Sequence, residues 1–184
     1  MQLNLGLVDN APALYITRMP NPLKVNITRA NENDVDLILR FILELAKFEK
    51  LEHEMVATPE LLKKYLFSET PSAEVIFAES EGEKVGFALF FTSFSTFLGV
   101  PGIYLEDLFV LPEHRGRGFG RGLLSALAQI TVERGYGRLE WSVLDWNQSA
   151  IDLYLSLGAK PMGDWTVHRL TGEPLSNLAT SISE

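Results

Sequence analysis

YLEDLFVLPEHRGRGFGRGLL, residues 104–124, is the stretch on which the reading of this chain turns. An apolar run carries two adjacent carboxylates, Glu106 and Asp107, then meets Pro112 and a glycine-rich turn that opens into an amphipathic segment. Ionised groups are costly to bury, so two acids inside YLEDLFV predict a site rather than a solvated face. Arg115, Gly116, Arg117, Gly118, Phe119 and Gly120 supply backbone N–H groups with little side-chain cover at the start of a helix. Convergent donors and the positive end of the helix dipole make such a turn an anion site. The expectation is a phosphate-bearing cofactor lying beside acidic residues on a strand.

Two common phosphate loops are excluded by spacing. A Walker loop requires Gly-Lys-Ser/Thr after its glycines, and no lysine follows here. The dinucleotide fingerprint fails as well, because the sixth position is Arg121 counted from Gly116 and Leu123 counted from Gly118. The pattern that fits is Arg/Gln-x-x-Gly-x-Gly/Ala, with Arg115, Gly118 and Gly120. That segment resembles the acyl-CoA pyrophosphate loop of the GNAT superfamily of N-acetyltransferases.

The resemblance extends along most of the chain. Residues 143–154, VLDWNQSAIDLY, followed by Leu157-Gly158-Ala159, are similar to the family's second signature. Upstream, Ile27-Thr28-Arg29-Ala30 and Asp34 resemble its first strand and helix. Residues 44–50 (ELAKFEK) and the Glu106-Asp107 pair are most similar to the diamine acetyltransferases. Within these, residues 94–96 and 144–148 resemble the thialysine N-acetyltransferase branch more than the spermidine/spermine branch.

The resemblance implies an α/β fold: a single GNAT domain with a mixed, mostly antiparallel central sheet, splayed at the cofactor site and flanked by helices. It implies acetyl-CoA as co-substrate, with no metal, and a small cationic amine as acceptor, attacked directly in a ternary complex. The cofactor-binding residues it implies are Leu108, Phe109, Val110, Arg115, Gly116, Arg117, Gly118, Phe119, Gly120, Asn147 and Tyr154. Tyr154 matches the residue that stabilises the departing thiolate, and Glu106 is assigned the proton relay. Glu49, Glu106 and Asp107 are the substrate-binding acids. A homodimer is likewise implied by the family alone.

Successive strand residues point to opposite faces, so an unbroken strand cannot aim Glu106 and Asp107 at one pocket. A β-bulge, common at this place in the family, is the expected remedy. Asn147 is read as a pantetheine contact or as a helix N-cap, and both are open. By the same resemblance, Ser95 stands where spermidine-acetylating relatives carry an acid, which favours a short amino-acid-like diamine. Two alternatives remain, a protein-amine acetyltransferase and a non-catalytic acetyl-CoA-binding module. The presence of both Tyr154 and Glu106 favours catalysis, since simple binding requires neither.

Bulk properties set further bounds. At 184 residues with 46% hydrophobic content, the chain is read as one globular domain, residues 24–184, preceded by an N-terminal extension, residues 1–23. The extension is either a solvated tail or a docked arm. The absence of cysteine excludes disulfides, thiolate metal sites and a cysteine acyl-enzyme. A net charge of −8 favours cationic partners over nucleic acid. With no spanning apolar segment and no secretory leader pattern, no membrane partner is expected and a cytoplasmic location follows.

Local patterns predict the elements. Strands are expected over residues 25–29, 75–80, 84–92, 103–110, 138–144 and 166–170. Helices are expected after a cap at Asn33 or Asp34, after Thr58-Pro59, over 118–134 with Leu123, Leu124, Leu127 and Val132 facing the core, and over 149–157.

Overall fold

The structure, a computed structural model, describes residues 25–181. The reading of residues 1–23 as an extension therefore lies outside the described residues. The chain splits into two compact units, with the division between Ser142 and Val143.

The first unit is a five-stranded sheet with strands in sequence order: β1 (Asn26–Arg29), β2 (Glu74–Ser80), β3 (Glu83–Ser95), β4 (Val100–Val110) and β5 (Leu139–Trp141). β1 to β4 pair antiparallel, and β5 joins β4 in parallel. The expected mixed, mostly antiparallel sheet is thus borne out. Its helices are α1 (Val35–Glu49), α2 (Pro59–Leu66) and α3 (Phe119–Glu133). The chain reaches α1 through a short tight turn, Glu32–Asp34. Asp34 holds the N-cap position of α1, one of the two residues expected there, without a side-chain capping bond; Asn31 caps the preceding turn, and its N–H donates to the Asp34 carboxylate in a capping box. Thr58 caps α2 with Pro59 at the first helical position, as its sequence predicts.

Both faces of the sheet are covered. On one, Ile38, Phe41 and Leu45 of α1 pack on Val75, Phe77, Phe87 and Phe109, with the Phe41 ring stacked 5.3 Å from that of Phe87. Each such side chain contributes roughly 1.5–3 kcal/mol by leaving water. The opposite face carries Ile76, Ala88, Phe90, Ile103 and Leu105, all fully or almost fully buried. α3 packs on β4, β3 and β2, burying Leu123, Leu124 and Leu127. It comes so close at Gly122 that an added Cβ would lie 2.9 Å from Val25.

The sequence misassigns the end of α3's buried face. Val132 is 76% exposed, whereas Thr131 is buried with its hydroxyl donating to the Leu127 carbonyl at 2.7 Å. Helical spacing from Leu124 and Leu127 reaches 131, and the internal hydrogen bond makes a polar residue tolerable there. β5 is also shorter than residues 138–144.

The second unit contains α4 (Gln148–Ser156) and α5 (Gly172–Ala179). Residues 166–170 do not form the expected strand, because a strand requires a pairing partner and none is present among the described residues. Helix α5 was not expected. Pro174 falls in its first turn, where a missing N–H costs nothing. Among the described residues no helix is long and apolar enough to cross a membrane.

Candidate active site

The register of β3 against β4 resolves the problem of the adjacent acids. Leu89 lies opposite Asp107 and Phe90 opposite Leu105, so Glu106 is an extra residue, a β-bulge. Cross-strand partners share a face, which puts Leu105 with Phe90 on the face away from α1. Asp107 and Phe109 share the α1 face with Leu89 and Phe87. Counting from Leu105, Glu106 turns to the α1 face, and counting back from Phe109, so does Asp107. The bulge therefore sends both carboxylates to one side of the sheet.

Glu49, the last residue of α1, completes the group. The helix stops there because Lys50 adopts a left-handed conformation, φ 62°, and closes the end with its N–H on the Ala46 and Lys47 carbonyls. Burial and the negative charges of Glu106 and Glu49 push the Asp107 carboxyl up to about 6. Burial also raises Glu49. None of the three forms an ion pair with another described residue. The expectation that both strand acids are buried holds for Asp107 only. Glu106 is exposed, because the bulge interrupts the pleat there.

Beyond the bulge, β4 runs on alone on one side. Its pairing with β5 ends at Leu105 opposite Trp141, so from Glu106 onward β3 is its one strand partner among the described residues. The Leu111 N–H donates to the Val85 carbonyl at 2.9 Å, which fixes the hydrogen-bonding phase of this segment. In that phase Phe109 directs its backbone groups at β3, while those of Leu108 and Val110 face the open edge. Leu108 and Val110 are thus placed to bind an extended ligand by their main chain. Phe109 is not, and its ring belongs to the core.

The glycine-rich turn follows directly. Gly116 and Gly118 have φ of 72° and 89°, conformations that cost residues with a Cβ about 1 kcal/mol or more. No side chain caps α3, and its first backbone bond runs from the Gly122 N–H to the Gly118 carbonyl. The amides of Phe119 and Gly120 therefore precede the helix's own bonding pattern, as an anion site requires. Arg117 donates to His114 Nδ1 at 3.1 Å. Arg115 is exposed, but its side chain folds back onto β4: its Nε–H donates to the Val110 carbonyl at 3.0 Å, and its guanidinium carbon lies 4.5 Å from the Phe48 ring centre and 5.1 Å from that of Phe109. Phe48 was not among the candidate residues, although Phe41, Leu45 and Phe48 continue the apolar stripe of α1.

In the second unit, Asn147 is the N-cap of α4, its side-chain oxygen accepting from the Ala150 N–H at 3.4 Å. Tyr154 lies on α4 partly buried, and burial raises its hydroxyl pKa. Ser95 sits at the far end of the β3–β4 hairpin, opposite Val100, where its hydroxyl accepts from the Leu98 N–H at 3.2 Å. Position 107 is roughly 20 Å further along β4. Ser95 is thus a turn-forming residue, and its identity does not tune the acids of its own chain. Among the described residues no group of three or more histidines, cysteines or acids is arranged to hold a metal ion.

Comparison with known proteins shows the family. The chain matches the Acetyltransferase (GNAT) family over residues 39–159. It is 39% identical over 166 residues to the thialysine N-epsilon-acetyltransferase of Bos taurus, covering 84% of this chain and 97% of that one. The L-ornithine N5-acetyltransferase of Arabidopsis thaliana is 32% identical, with 83% and 86% covered. Among solved structures, an integron cassette protein from the mobile metagenome of V. cholerae superimposes with a TM-score of 0.71 at 30% identity, covering 87% of this chain and all of that one.

Proposed function

This chain belongs to the Acetyltransferase (GNAT) family, and from that premise we propose that it moves the acetyl group of acetyl-CoA to a primary amine of a small dication, a thialysine- or lysine-like diamine. The observation that carries the proposal is the bulge at Glu106, which brings together with Glu49 three carboxylates that have no ion-pair partner among the described residues. A cluster of like charges without a basic partner is relieved by a cation, and two ammonium groups on one short molecule fit it.

The roles divide by environment. Asp107 and Glu49, both partly buried, hold the distal ammonium. Glu106 is exposed, so water reaches it, and it relays the proton from the reacting amine. Separation of these tasks matters: an aliphatic ammonium with pKa about 10.4 costs roughly 4.6 kcal/mol to neutralise at pH 7, and a carboxylate in direct contact increases that cost. The neutral amine then attacks the thioester carbonyl, the C–S bond breaks, and the thiolate leaves. Tyr154 stabilises that thiolate by hydrogen bonding, a role assigned by its place in the family signature. The main chain of Leu108 and Val110 binds the pantetheine arm and residues 115–120 the pyrophosphate. Asn147 is assigned to the same arm by its place in the family signature.

The homodimer belongs to the same proposal. Phe94, Phe97 and Leu98 expose 59%, 92% and 56% of their surface at one hairpin tip, a cluster that a second subunit would cover. A cytoplasmic location is consistent with the absence of cysteine. The decisive test is thiol release from acetyl-CoA with thialysine, lysine, ornithine, spermidine, putrescine and a lysine-rich peptide, each against a blank without amine. Turnover confined to the short amino-acid diamines supports the proposal. Preference for spermidine or for the peptide overturns the substrate class.

A further inference from the structure

Resting on the proposed function, we propose that Arg115 is a positioning residue that locks the acyl-CoA loop to the amine-binding acids through the rings of Phe48 and Phe109. Arg115 is exposed to solvent, yet its side chain folds back onto β4 instead of extending into water. One N–H is committed to the Val110 carbonyl at the open edge of β4, and the guanidinium carbon lies over the two rings, 4.5 and 5.1 Å from their centres. The rings themselves are 6.3 Å apart and tilted by 58°.

What those rings neighbour gives the contact its meaning. Phe48 immediately precedes Glu49 at the end of α1, and Phe109 lies two residues beyond Asp107 on the same face of β4. Arg115 opens the turn that runs to Gly118 and the start of α3. One guanidinium thus touches the neighbour of each amine-side acid and begins the cofactor-side loop. Among the described residues it forms no ion pair, so its charge is directed at aromatic faces. A shift in the stack displaces the loop relative to Glu49 and Asp107, and transfer between two bound substrates is sensitive to errors of about 1 Å. Lysine cannot replace arginine here, because it has neither the planar face nor an N–H at the Nε position.

The test is the affinity of the full chain for CoA, measured calorimetrically for the wild type, Arg115→Lys, Phe48→Leu and the double variant. Phe48 lies outside the loop, so a purely structural role would lower stability and leave CoA binding unchanged. The expected result is a loss of about 3- to 30-fold in CoA affinity for Phe48→Leu. Arg115→Lys should lose at least as much, and the double variant no more than Arg115→Lys alone. KM for the amine should rise in both single variants, and Phe48→Tyr, which restores a ring, should recover both values. Phe48→Met provides the same ring deletion if the leucine variant does not fold. Wild-type CoA affinity in a folded Phe48→Leu chain, or additive losses in the double variant, overturns the inference and leaves the proposed function standing. A wild-type chain that does not bind CoA overturns both.

Discussion

Replacing Asp107 by asparagine should stabilise the protein, and the gain should depend on pH in a defined way. In the folded chain the Asp107 carboxyl is pushed up to about 6 from an ordinary 3.8, chiefly by burial and then by Glu106 and Glu49. The unfolded chain releases this proton near the ordinary value. Between the two values the native state binds more protons than the unfolded state, so stability falls as pH rises through the window. The loss is absent well below pH 3.8 and complete above about pH 6. A gap of about 2 units at ~1.36 kcal/mol per unit gives up to ~3 kcal/mol at pH 7.5.

Asparagine keeps the shape and one acceptor without the charge, so the variant should escape that loss. Guanidinium unfolding followed by tryptophan fluorescence at pH 4, 5, 6, 7 and 8 measures the difference. Effects of every other titrating group that the two proteins share cancel in it. The gain of Asp107→Asn should be near its minimum at pH 4 and climb through pH 5 and 6 to a plateau. A difference that is flat with pH, or that shrinks as pH rises, refutes the like-charge cluster.

Three further outcomes follow from the same geometry. Gly118→Val forces a branched residue into φ 89° and should destabilise the fold by about 1–3 kcal/mol and weaken CoA binding at least ten-fold, as thermal melts and calorimetry will show. Tyr154→Phe should lower kcat about 10²-fold with CoA affinity within two-fold of wild type, and equal kcat for the two proteins would remove the tyrosine from the reaction. Glu49→Gln removes one negative neighbour of Asp107, so KM for the amine should rise about five-fold, from a lost interaction of about 1 kcal/mol. The same variant should narrow the pH window of the Asp107→Asn experiment.

How much of this was legible in the sequence depended on the range over which each feature is determined. The glycine turn was readable, because left-handed conformations at Gly116 and Gly118 and an uncapped helix start leave a local signature. Helices α1 and α2 were readable from periodicity, from Asp34 and from the Thr58-Pro59 start, although the capping box ahead of α1, on Asn31, was not. The exposure of Glu106 was not readable, because the place of a bulge is fixed by how two strands register, not by either strand's composition. Nor was the backbone phase that excludes Phe109 from ligand binding. Val132 misled because an apolar side chain one position off the buried stripe looks like its continuation. The hydrogen bond by which Ser95 helps to form the β3–β4 hairpin was not readable either, since Ser95 was read only as the replacement of an acid. The Arg115 stack joins residues 67 positions apart, from 48 to 115, and no local pattern announces it.

The bulge also explains why the sheet tolerates a charged cluster at all. Without the extra residue, Leu105 and Phe109 would share a face, and either a core leucine would point toward Glu49 or Phe109 would leave the α1 core. With it, Ile103 and Leu105 serve one hydrophobic layer while Phe109 serves the other, and the phase change takes place at Glu106 and Asp107. The two acids thus occupy the step between the two faces of the sheet, at the place where β5 has just ended and one edge lies open. The mutual repulsion of Glu49, Glu106 and Asp107 is a cost in the free enzyme, and a bound dication, the substrate class we propose, would remove it. Amine affinity should therefore be strongest above about pH 6, where Asp107 is ionised, and should weaken with proton uptake below it. The cluster that destabilises the empty fold is, in this view, the source of its selectivity for cations.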